Sequence, residues 1–304
     1  MPSGNALLYI TTVLIWGSTW FAIEFQLGVV DPAVSLVWRF SLAATLMLGW
    51  AALRREWPRY TVRQHAWLVA LGFCLFGANY MLFYVATGLL TSGLVAVSFS
   101  TIVGFNILFG ALFFGQPVRG RVVAGAVMGL AGIALVFLPE LQHLSLEDKA
   151  LRGLLLCLLA TVAASFGNLI SGRNQRQGIA VVPGTGVAMA YGTGLIALFA
   201  LATGRTFSID LSAPYLLSLA YLAVFGSVVA FWCYLTLLGR IGADRAAYAS
   251  VLFPVVALAL STFFEGYVWT VPAVLGLALV LGGNLLVLSR PKLRPQAVLA
   301  PAIE

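Results

Sequence analysis

The charged stretch Glu147-Asp148-Lys149-Ala150-Leu151-Arg152 interrupts a chain that is otherwise almost continuously apolar. Five apolar segments lie before it, within residues 5–138, and five more lie after it, within residues 151–289. Each is about twenty residues long, the length that an α-helix needs to cross the hydrocarbon core of a bilayer. The sequence therefore predicts an all-α integral membrane protein with ten transmembrane helices, at residues 5–25, 32–53, 65–86, 91–114, 120–138, 151–172, 181–203, 213–238, 244–265 and 270–289.

The composition excludes a water-soluble globule. Of the 304 residues, 61% are hydrophobic and 9% are charged, and the mean hydropathy is +1.00. Such a chain has too few polar side chains to cover a folded surface that faces water. The formal charge of +7 requires no nucleic-acid partner, because the basic residues lie in short loops where they contact anionic lipid. We therefore expect the protein to contact a lipid bilayer and no nucleic acid.

The Lys and Arg residues switch sides between the two halves of the chain. In the first half they follow segments two and four, whereas in the second half they follow segments six and eight, with only Arg205 after segment seven. Short loops rich in Lys and Arg stay in the cytoplasm. With both termini in the cytoplasm, the outer side holds Lys149, Arg152 and Arg205. This pattern is typical of two five-helix units inserted in opposite orientations, as in transporters with inverted repeats. The inner side holds Arg54, Arg55, Arg59, Arg63, Arg119, Arg121, Arg173, Arg176, Arg240, Arg245, Arg290, Lys292 and Arg294.

The two halves also align weakly with each other. Matches between apolar helices arise easily by chance, so the charge inversion carries more weight. We predict a first repeat at residues 1–142, a second, inverted repeat at 150–290 and a disordered cytoplasmic tail at 291–304. The glycines of segments five and ten predict close helix packing, with a dimer interface as the alternative. The matches are Phe76-Gly77 with Phe225-Gly226, Gly93–Phe114 with Ala243–Phe264, Gly125 with Gly276, and Gly132 with Gly283.

Polar side chains inside the segments are where function is expected, because each costs free energy unless it is satisfied or faces water. Arg39 is the only basic residue clearly inside a segment, and no Asp or Lys lies deep. A pump coupled to protons or sodium needs a buried carboxylate, so we expect a facilitator or a weakly coupled exporter. Arg39 is able to hold a substrate carboxylate, but we favour its pairing with Glu24 or Asp31 at the outer ends of the helices. The amides inside the segments are Asn79, Asn106, Asn168 and Asn284.

Aromatic and polar residues share faces of the predicted helices. Segment three places Phe76, Asn79, Tyr80 and Phe83 at helical spacing on one face. A mixed stripe suits a cavity better than a lipid-facing side, because its polar members would have no partner in hydrocarbon. Helix packing and the aromatic belt at the membrane interface are the alternatives. The predicted cavity residues are Trp16, Trp20, Asn79, Tyr80, Phe83, Ser98, Thr101, Ser165, Asn168, Trp232, Tyr248 and Ser250.

Pro254 lies in the middle of segment nine. It cannot donate a backbone hydrogen bond, so the carbonyl of Ser250 is left free and the helix bends. Gly104 lies at the corresponding place in segment four. Paired irregularities of this kind indicate a substrate site near the midplane of the bilayer, although a kink needed only for packing is the alternative. We predict that Gly104 and Pro254 form a gating pair.

Short motifs, in order along the ten segments, resemble the EamA-type branch of the drug/metabolite transporter superfamily. The resemblance implies ten helices around a central cavity, with segments five and ten outside as supports. It also implies a place in a bacterial inner membrane and export of aromatic amino acids. Family members commonly carry Gly-Glu where this chain has Gly115-Gln116, which leaves no acid at that place. The motifs are Trp16-Gly17-Ser18, Trp38-Arg39-Phe40, Phe-Phe-Gly-Gln-Pro at residues 113–117, and Phe263-Phe264-Glu265.

We therefore predict an exporter of small amphipathic metabolites, first of all aromatic and other neutral amino acids, that works by alternating access. Aromatic walls with amides and hydroxyls but no fixed charge suit a flat side chain with a zwitterionic head. Hydrophobic organic cations are the alternative, through cation–π attraction. An intramembrane enzyme would need a nucleophile with a base, or a metal cluster, and the scattered His65, His143 and cysteines supply neither. We expect no cofactor, no metal and no obligate protein partner.

Overall fold

The computed structural model describes residues 3–56, 59–115, 120–138, 148–241 and 249–288, and within these ranges every regular element is helical. Ten membrane-crossing helices occupy these ranges, each close to its predicted segment, so the predicted fold class is confirmed. The predicted tail at 291–304 lies outside the described residues. The helices are α1 Ser3–Glu24, α2 Pro32–Leu53, α3 in three parts (Val62–Leu71, Gly72–Ala78, Asn79–Thr87), α4 in two parts (Ser92–Phe99, Ile102–Phe114), α5 Gly120–Phe137, α6 Lys149–Arg176, α7 Val181–Ala202, α8 in three parts (Ala213–Tyr221, Leu222–Val229, Ala230–Ile241), α9 Ala249–Phe264 and α10 Val271–Leu288.

The helices have the length and the surface of membrane spans. Eight are long and apolar enough to cross a bilayer, and two shorter apolar helices, Val251–Phe264 and Val271–Val287, follow them. Large apolar side chains face outward, for example Leu7, Leu112 and Phe263, which are 67%, 69% and 80% exposed. Continuous apolar exposure of this kind belongs in lipid. The protein is a multi-pass membrane protein.

Polar side chains cap the helices where the chain turns. The Asp31 carboxylate accepts a hydrogen bond of 2.9 Å from the backbone N–H of Ala33 at the start of α2. At the start of α3, the Thr61 hydroxyl and the Gln64 side chain form a reciprocal capping box. Asp148, in the charged stretch between the halves, caps α6 through the N–H of Ala150 at 2.8 Å. The charged stretch therefore starts the sixth helix as well as separating the repeats.

Glycines hold α5 and α10 together. A Cβ added to Gly132 would lie 2.5 Å from the carbonyl oxygen of Gly276, and one added to Gly125 would lie 2.5 Å from that of Gly283. The reverse contacts are equally short. Gly125 aligns with Gly276, and Gly132 aligns with Gly283. Exchanging the two halves therefore turns the contact of Gly125 with Gly283 into the contact of Gly276 with Gly132, as rotation about a two-fold axis does. The predicted packing role of these glycines is confirmed, and the contact has the symmetry of an inverted repeat.

Two π-helical stretches occur at matching places in the two halves. They are Gly72–Ala78 in α3 and Leu222–Val229 in α8, and they contain the aligned pairs Phe76-Gly77 and Phe225-Gly226. Segments of π-helix are rare and are frequent at functional sites. The sequence predicted paired irregularities at Gly104 and Pro254 instead. Pro254 does lie inside α9.

The break in α4 differs from the prediction. The helix is interrupted at Ser100 and Thr101, and Gly104 lies inside its second part. The Ser100 hydroxyl donates to the carbonyl oxygen of Val97 at 2.6 Å, and the Thr101 hydroxyl donates to that of Ser98 at 2.7 Å. The same two carbonyls also accept from the backbone N–H groups of Ser100 and Thr101, in the tighter i to i+3 pattern of a helix end, so the break comes at these two residues and before the glycine.

Candidate functional site

A cavity of about 810 Å³ lies among eight of the ten helices. Its lining side chains come from α1, α2, α3, α4, α6, α7, α8 and α9, so among the described residues α5 and α10 contribute none. A ligand pocket for a small molecule usually has a volume of about 300–1,000 Å³. The cavity is therefore of the size that holds one small solute together with water.

Aromatic rings form most of the cavity wall in the middle of the helices. The Trp16 ring contacts those of Phe231, Tyr234 and Phe253, with centroid distances of 5.2, 5.2 and 5.6 Å. On the next turn of α1, the Trp20 ring lies 4.9 Å from that of Phe83. Interlocked rings of this kind fix one another's orientation and leave flat apolar faces toward the cavity.

The π-helical stretch of α8 supplies an acceptor for Trp16. The indole Nε1–H donates to the carbonyl oxygen of Gly226 at 3.1 Å. In the same stretch, the Ser227 hydroxyl donates to the carbonyl oxygen of Leu222 at 2.9 Å. The altered backbone pattern of a π-helix makes such carbonyls available to side chains. The first motif of the chain is thus bound to the second half of the protein.

An amide cluster joins α4 to α6 at the cavity. The Oδ1 atom of Asn106 accepts from the Ser165 hydroxyl at 2.8 Å and from Nδ2 of Asn168 at 3.5 Å. Asn106 and Asn168 line the cavity, while Ser165 is fully buried behind them. Sequence analysis counted Asn106 among the polar residues but did not assign it to the site. The sequence around Asn106 did not indicate a site, because its hydrogen-bond partners lie on α6, which is distant in sequence.

Two buried polar atoms at the cavity have no partner among the described residues. They are Oδ1 of Asn79, an acceptor, and Nε1 of Trp20, a donor. Asn79 is 5% exposed, and its Nδ2 group donates to the carbonyl oxygen of Leu75 at 3.0 Å. An unpaired buried polar group costs roughly 1–3 kcal/mol, and a bound polar solute removes that cost.

Arg39 contributes a fixed charge to the cavity, which corrects two expectations. It is 1% exposed and makes hydrogen bonds to Tyr84 Oη (3.3 Å, from Nη1) and Ser227 Oγ (3.4 Å, from Nε). Sequence analysis favoured a pairing with Glu24 or Asp31 and walls without fixed charge. Asp31 instead accepts from Nη1 of Arg205 at 3.1 Å, because the fold brings the loop before α8 over the start of α2.

The cavity reaches the surface at one end, which we call the wide end, and we call the opposite end the closed end. At the wide end it is lined by Gln175 and the exposed Arg176 from the last turn of α6, and by Thr185 of α7. At the opposite end, the Gln26 amide donates to the carbonyl oxygen of Tyr215, and the Glu265 carboxylate accepts from Ser92. These contacts join the first half of the chain to the second.

Other predicted site residues lie away from the cavity. The Ser98 hydroxyl is fully buried and donates to the carbonyl oxygen of Leu94, and that of Thr101 donates to its own helix. Trp232 is 39% exposed on the outer surface, 6.0 Å from the ring of Trp50. Tyr248 and the side chain of Ser250 lie outside the described residues. The predicted residues that line the cavity are Trp16, Trp20, Asn79, Tyr80, Phe83 and Asn168, and sequence analysis missed Phe231 and Phe253.

Ten membrane-crossing helices around a central cavity of aromatic and amide side chains define the class of the protein as a membrane transporter. Comparison with known families gives the particular family. The model of the EamA-like transporter family matches the chain twice, over residues 4–138 and 151–289. The chain belongs to this family.

Similar proteins carry transporter names. The chain is 28% identical over 293 residues to "Uncharacterized inner membrane transporter YedA" of Escherichia coli K12, covering 96% of this chain and 93% of that protein. It is 25% identical to "Probable amino-acid metabolite efflux pump" of the same strain, covering 85% of this chain and 86% of that protein. A solved crystal structure superposes with a TM-score of 0.66 at 19% identity, covering 94% of this chain and 98% of the other, which shows the shared fold.

Proposed function

We propose that the protein exports small amphipathic metabolites, first of all aromatic and other neutral amino acids, across a bacterial inner membrane by alternating access. The observation that carries the proposal is the cavity itself, in which flat aromatic faces adjoin unpaired amide and indole groups. An amino acid such as tryptophan presents a flat apolar ring and a compact polar head, so it matches both parts of this wall.

The wide end of the cavity supports loading from the cytoplasm. That end carries Gln175 and Arg176, in the last turn of α6, and the loop after this helix is one of those that the charge pattern of the sequence predicts to be cytoplasmic. Because loops rich in Lys and Arg remain cytoplasmic, a solute enters the cavity from inside the cell. A similar protein bears the name of an amino-acid metabolite efflux pump, which supports export as the direction.

The residues that we propose to contact the substrate line the middle of the cavity. The rings of Trp16, Trp20 and Phe83 hold the aromatic side chain, and Asn79 and Tyr80 lie where the polar head is bound. Asn168 contacts water or substrate nearer to the wide end. Among the described lining residues none is acidic, which supports a facilitator in place of a pump driven by a titrating carboxylate.

Alternating access requires that the closed end open while the wide end closes. The contacts at the closed end are polar bonds between the halves, which water is able to replace as the halves rock against each other. The glycine contact of α5 with α10 lies outside the cavity and holds the two halves together during this movement.

Transport by the purified protein in liposomes tests the proposal. Uptake of labelled tryptophan is expected to exceed that of protein-free liposomes, and Asn79→Ala and Tyr80→Ala variants are expected to lose at least about tenfold, the effect of one hydrogen bond to a charged group. Trp232→Phe is the matched control, because this residue lies on the outer surface. Tryptophan uptake equal to that of empty liposomes refutes the substrate class. Wild-type rates in both cavity variants refute the site.

A further inference from the structure

We infer that Arg39 and Asn79 form a subsite for the head group of an α-amino acid, in which Arg39 binds the carboxylate and Asn79 Oδ1 accepts from the ammonium group. This inference rests on the proposed function and adds to it the groups that a substrate must carry. It predicts that a carboxylate strengthens binding, so it ranks amino acids above the organic cations that aromatic walls alone would admit.

The charge of Arg39 has no acidic partner among the described residues. The guanidinium is 1% exposed, and the acceptors that it contacts are the hydroxyls of Tyr84 and Ser227. A buried charge without an opposite charge is costly, and a guanidinium matches a carboxylate through two parallel hydrogen bonds. The sequence favoured Glu24 or Asp31 as its partner, but Asp31 is bound to Arg205. A carboxylate brought by the substrate therefore supplies the missing partner.

Three helices hold the guanidinium in a fixed orientation at the cavity. It lies over the Tyr80 ring of α3, at 4.7 Å from the centroid, and over the Phe40 ring of α2, at 5.2 Å. Ser227 binds it from the π-helical stretch of α8, where Gly226 has no side chain to obstruct it: a Cβ there would lie 3.5 Å from Nη2 of Arg39. An arginine fixed in this way loses little conformational freedom when it binds a ligand.

Asn79 supplies the complementary acceptor. It precedes Tyr80 in α3, and its own Nδ2 group is occupied by the carbonyl of Leu75. Asn79 lines the same cavity, and its Oδ1 atom is buried and has no partner among the described residues. A free acceptor cannot bind a carboxylate, whereas it binds an ammonium group. One acceptor and one fixed cation in the same cavity match the two charges of a zwitterion.

The charge of the cavity as a whole favours carboxylates over amines. Two arginines, Arg39 and Arg176, line it, and within the described lining there is no Asp or Glu. A cation in the middle of this cavity would meet the like charge of Arg39, and like charges repel strongly where water is scarce. Cation–π attraction to the aromatic walls is the smaller effect.

Three indole compounds separate the two contacts in a calorimetric binding experiment on the purified full-length protein. Tryptophan carries both head groups, indole-3-propionate lacks the ammonium, and tryptamine lacks the carboxylate. The wild-type protein is expected to bind tryptophan and indole-3-propionate more tightly than tryptamine. Arg39→Gln is expected to weaken the binding of tryptophan and of indole-3-propionate about tenfold to a hundredfold, because a hydrogen bond to a charged group contributes on this scale. It is expected to strengthen the binding of tryptamine, because it removes a like charge. Asn79→Ala is expected to weaken the binding of tryptophan but not that of indole-3-propionate.

The controls distinguish a binding role from a structural one. Arg205→Gln removes an arginine whose partner lies outside the cavity, and it is expected to bind all three compounds as the wild-type protein does. Equal weakening of all three compounds in Arg39→Gln, or of none, overturns the subsite. If that variant does not fold, the wild-type protein alone still tests the subsite. Equal affinities of the wild-type protein for tryptamine and for indole-3-propionate overturn it.

Transport measurements tell the failure of the subsite from the failure of the proposed function. If liposomes with wild-type protein do not transport tryptophan while indole-3-propionate binding still depends on Arg39, the proposed substrate is wrong and the carboxylate subsite stands. If tryptophan is transported equally by the wild-type protein and by Arg39→Gln, the proposed function stands and the subsite is overturned.

Discussion

The contact between α5 and α10 gives a prediction whose size follows from the structure. A methyl group added by Gly132→Ala would lie 2.5 Å from the carbonyl oxygen of Gly276 and 2.8 Å from the backbone nitrogen of Val280. Carbon normally approaches such atoms to about 3.4 Å, so the two helices must separate by roughly 0.6–0.9 Å. Neither obstacle is a movable side chain, because both belong to the backbone of α10. We expect overpacking of this kind to cost about 1–3 kcal/mol.

Gly129→Ala on the same helix is the matched control. A Cβ at Gly129 meets nothing within 4 Å. Both substitutions gain about 1 kcal/mol of helix propensity, so this gain cancels when the two variants are compared. The difference between them is therefore the packing cost alone. At about 2–4 °C per kcal/mol, the Tm of Gly132→Ala is expected to lie about 2–12 °C below that of Gly129→Ala.

Thermal unfolding of the purified proteins in one detergent measures this difference. Gly276→Ala, the reciprocal substitution on α10, is expected to lower the Tm by a similar amount, because it meets the carbonyl oxygen of Gly132 at the same 2.5 Å. Equal Tm values for Gly132→Ala and Gly129→Ala would mean that the helices are not held at this distance, and the argument for a symmetric glycine contact would be refuted.

Two further predictions concern the closed end of the cavity. Glu265→Gln removes the charge that accepts from the N–H and the hydroxyl of Ser92, at 3.1 and 2.6 Å, so the closed end should open more often. A cysteine introduced by Ile23→Cys is then expected to react with a membrane-impermeant maleimide several times faster in the double variant with Glu265→Gln than in the single variant that keeps Glu265. An equal rate in the two proteins contradicts the role of this bond. Arg205→Ala breaks the partly exposed pair with Asp31, and it is expected to change the free energy of unfolding by less than about 1 kcal/mol. A larger loss in thermal unfolding, or one that added salt does not reduce, would show that this pair is not a solvent-screened surface contact.

The helices were predictable because a membrane span needs a continuous apolar run, and the sequence has ten such runs. The glycine faces were predictable for a related reason. In lipid, helices approach closely through small residues, so Gly125, Gly132, Gly276 and Gly283 had few other roles. Both features depend on residues near one another in sequence. Neither requires knowledge of how distant helices are arranged.

The position of Trp232 could not be predicted from helical spacing. The prediction assumed a regular α-helix through segment eight, with Trp232 on the face of the cavity. The structure has a π-helical stretch, Leu222–Val229, just before it. Because a π-helix has more residues per turn than an α-helix, every later side chain is rotated about the helix axis. The cavity position belongs to Phe231, and Trp232 lies on the outer surface.

The environment of Arg39 depends on tertiary contacts in the same way. From the sequence, Glu24 and Asp31 were the nearest acids to it along the chain. The fold gives Asp31 a different arginine, Arg205, which is distant in sequence, and it surrounds Arg39 with hydroxyls and rings. The change of partner turns a residue expected to form an internal ion pair into a cation at the cavity. No local pattern carries this information.

The two ends of the cavity differ chemically, and the difference favours the conformation that the structure has. The bond between Glu265 and Ser92 links the second half to the first at the closed end. In the alignment of the halves, Glu265 corresponds to Gly115 and Ser92 to Gly242, neither of which has a side chain to form an equivalent bond. An exact inverted repeat would give both ends the same contacts and equal populations of the two conformations. The bond to the Glu265 carboxylate, on the order of 1.5–3 kcal/mol, has no counterpart between these two glycines, and it favours closure at its own end roughly tenfold to a hundredfold. A solute that binds in the cavity must offset this difference before it is released on the opposite side.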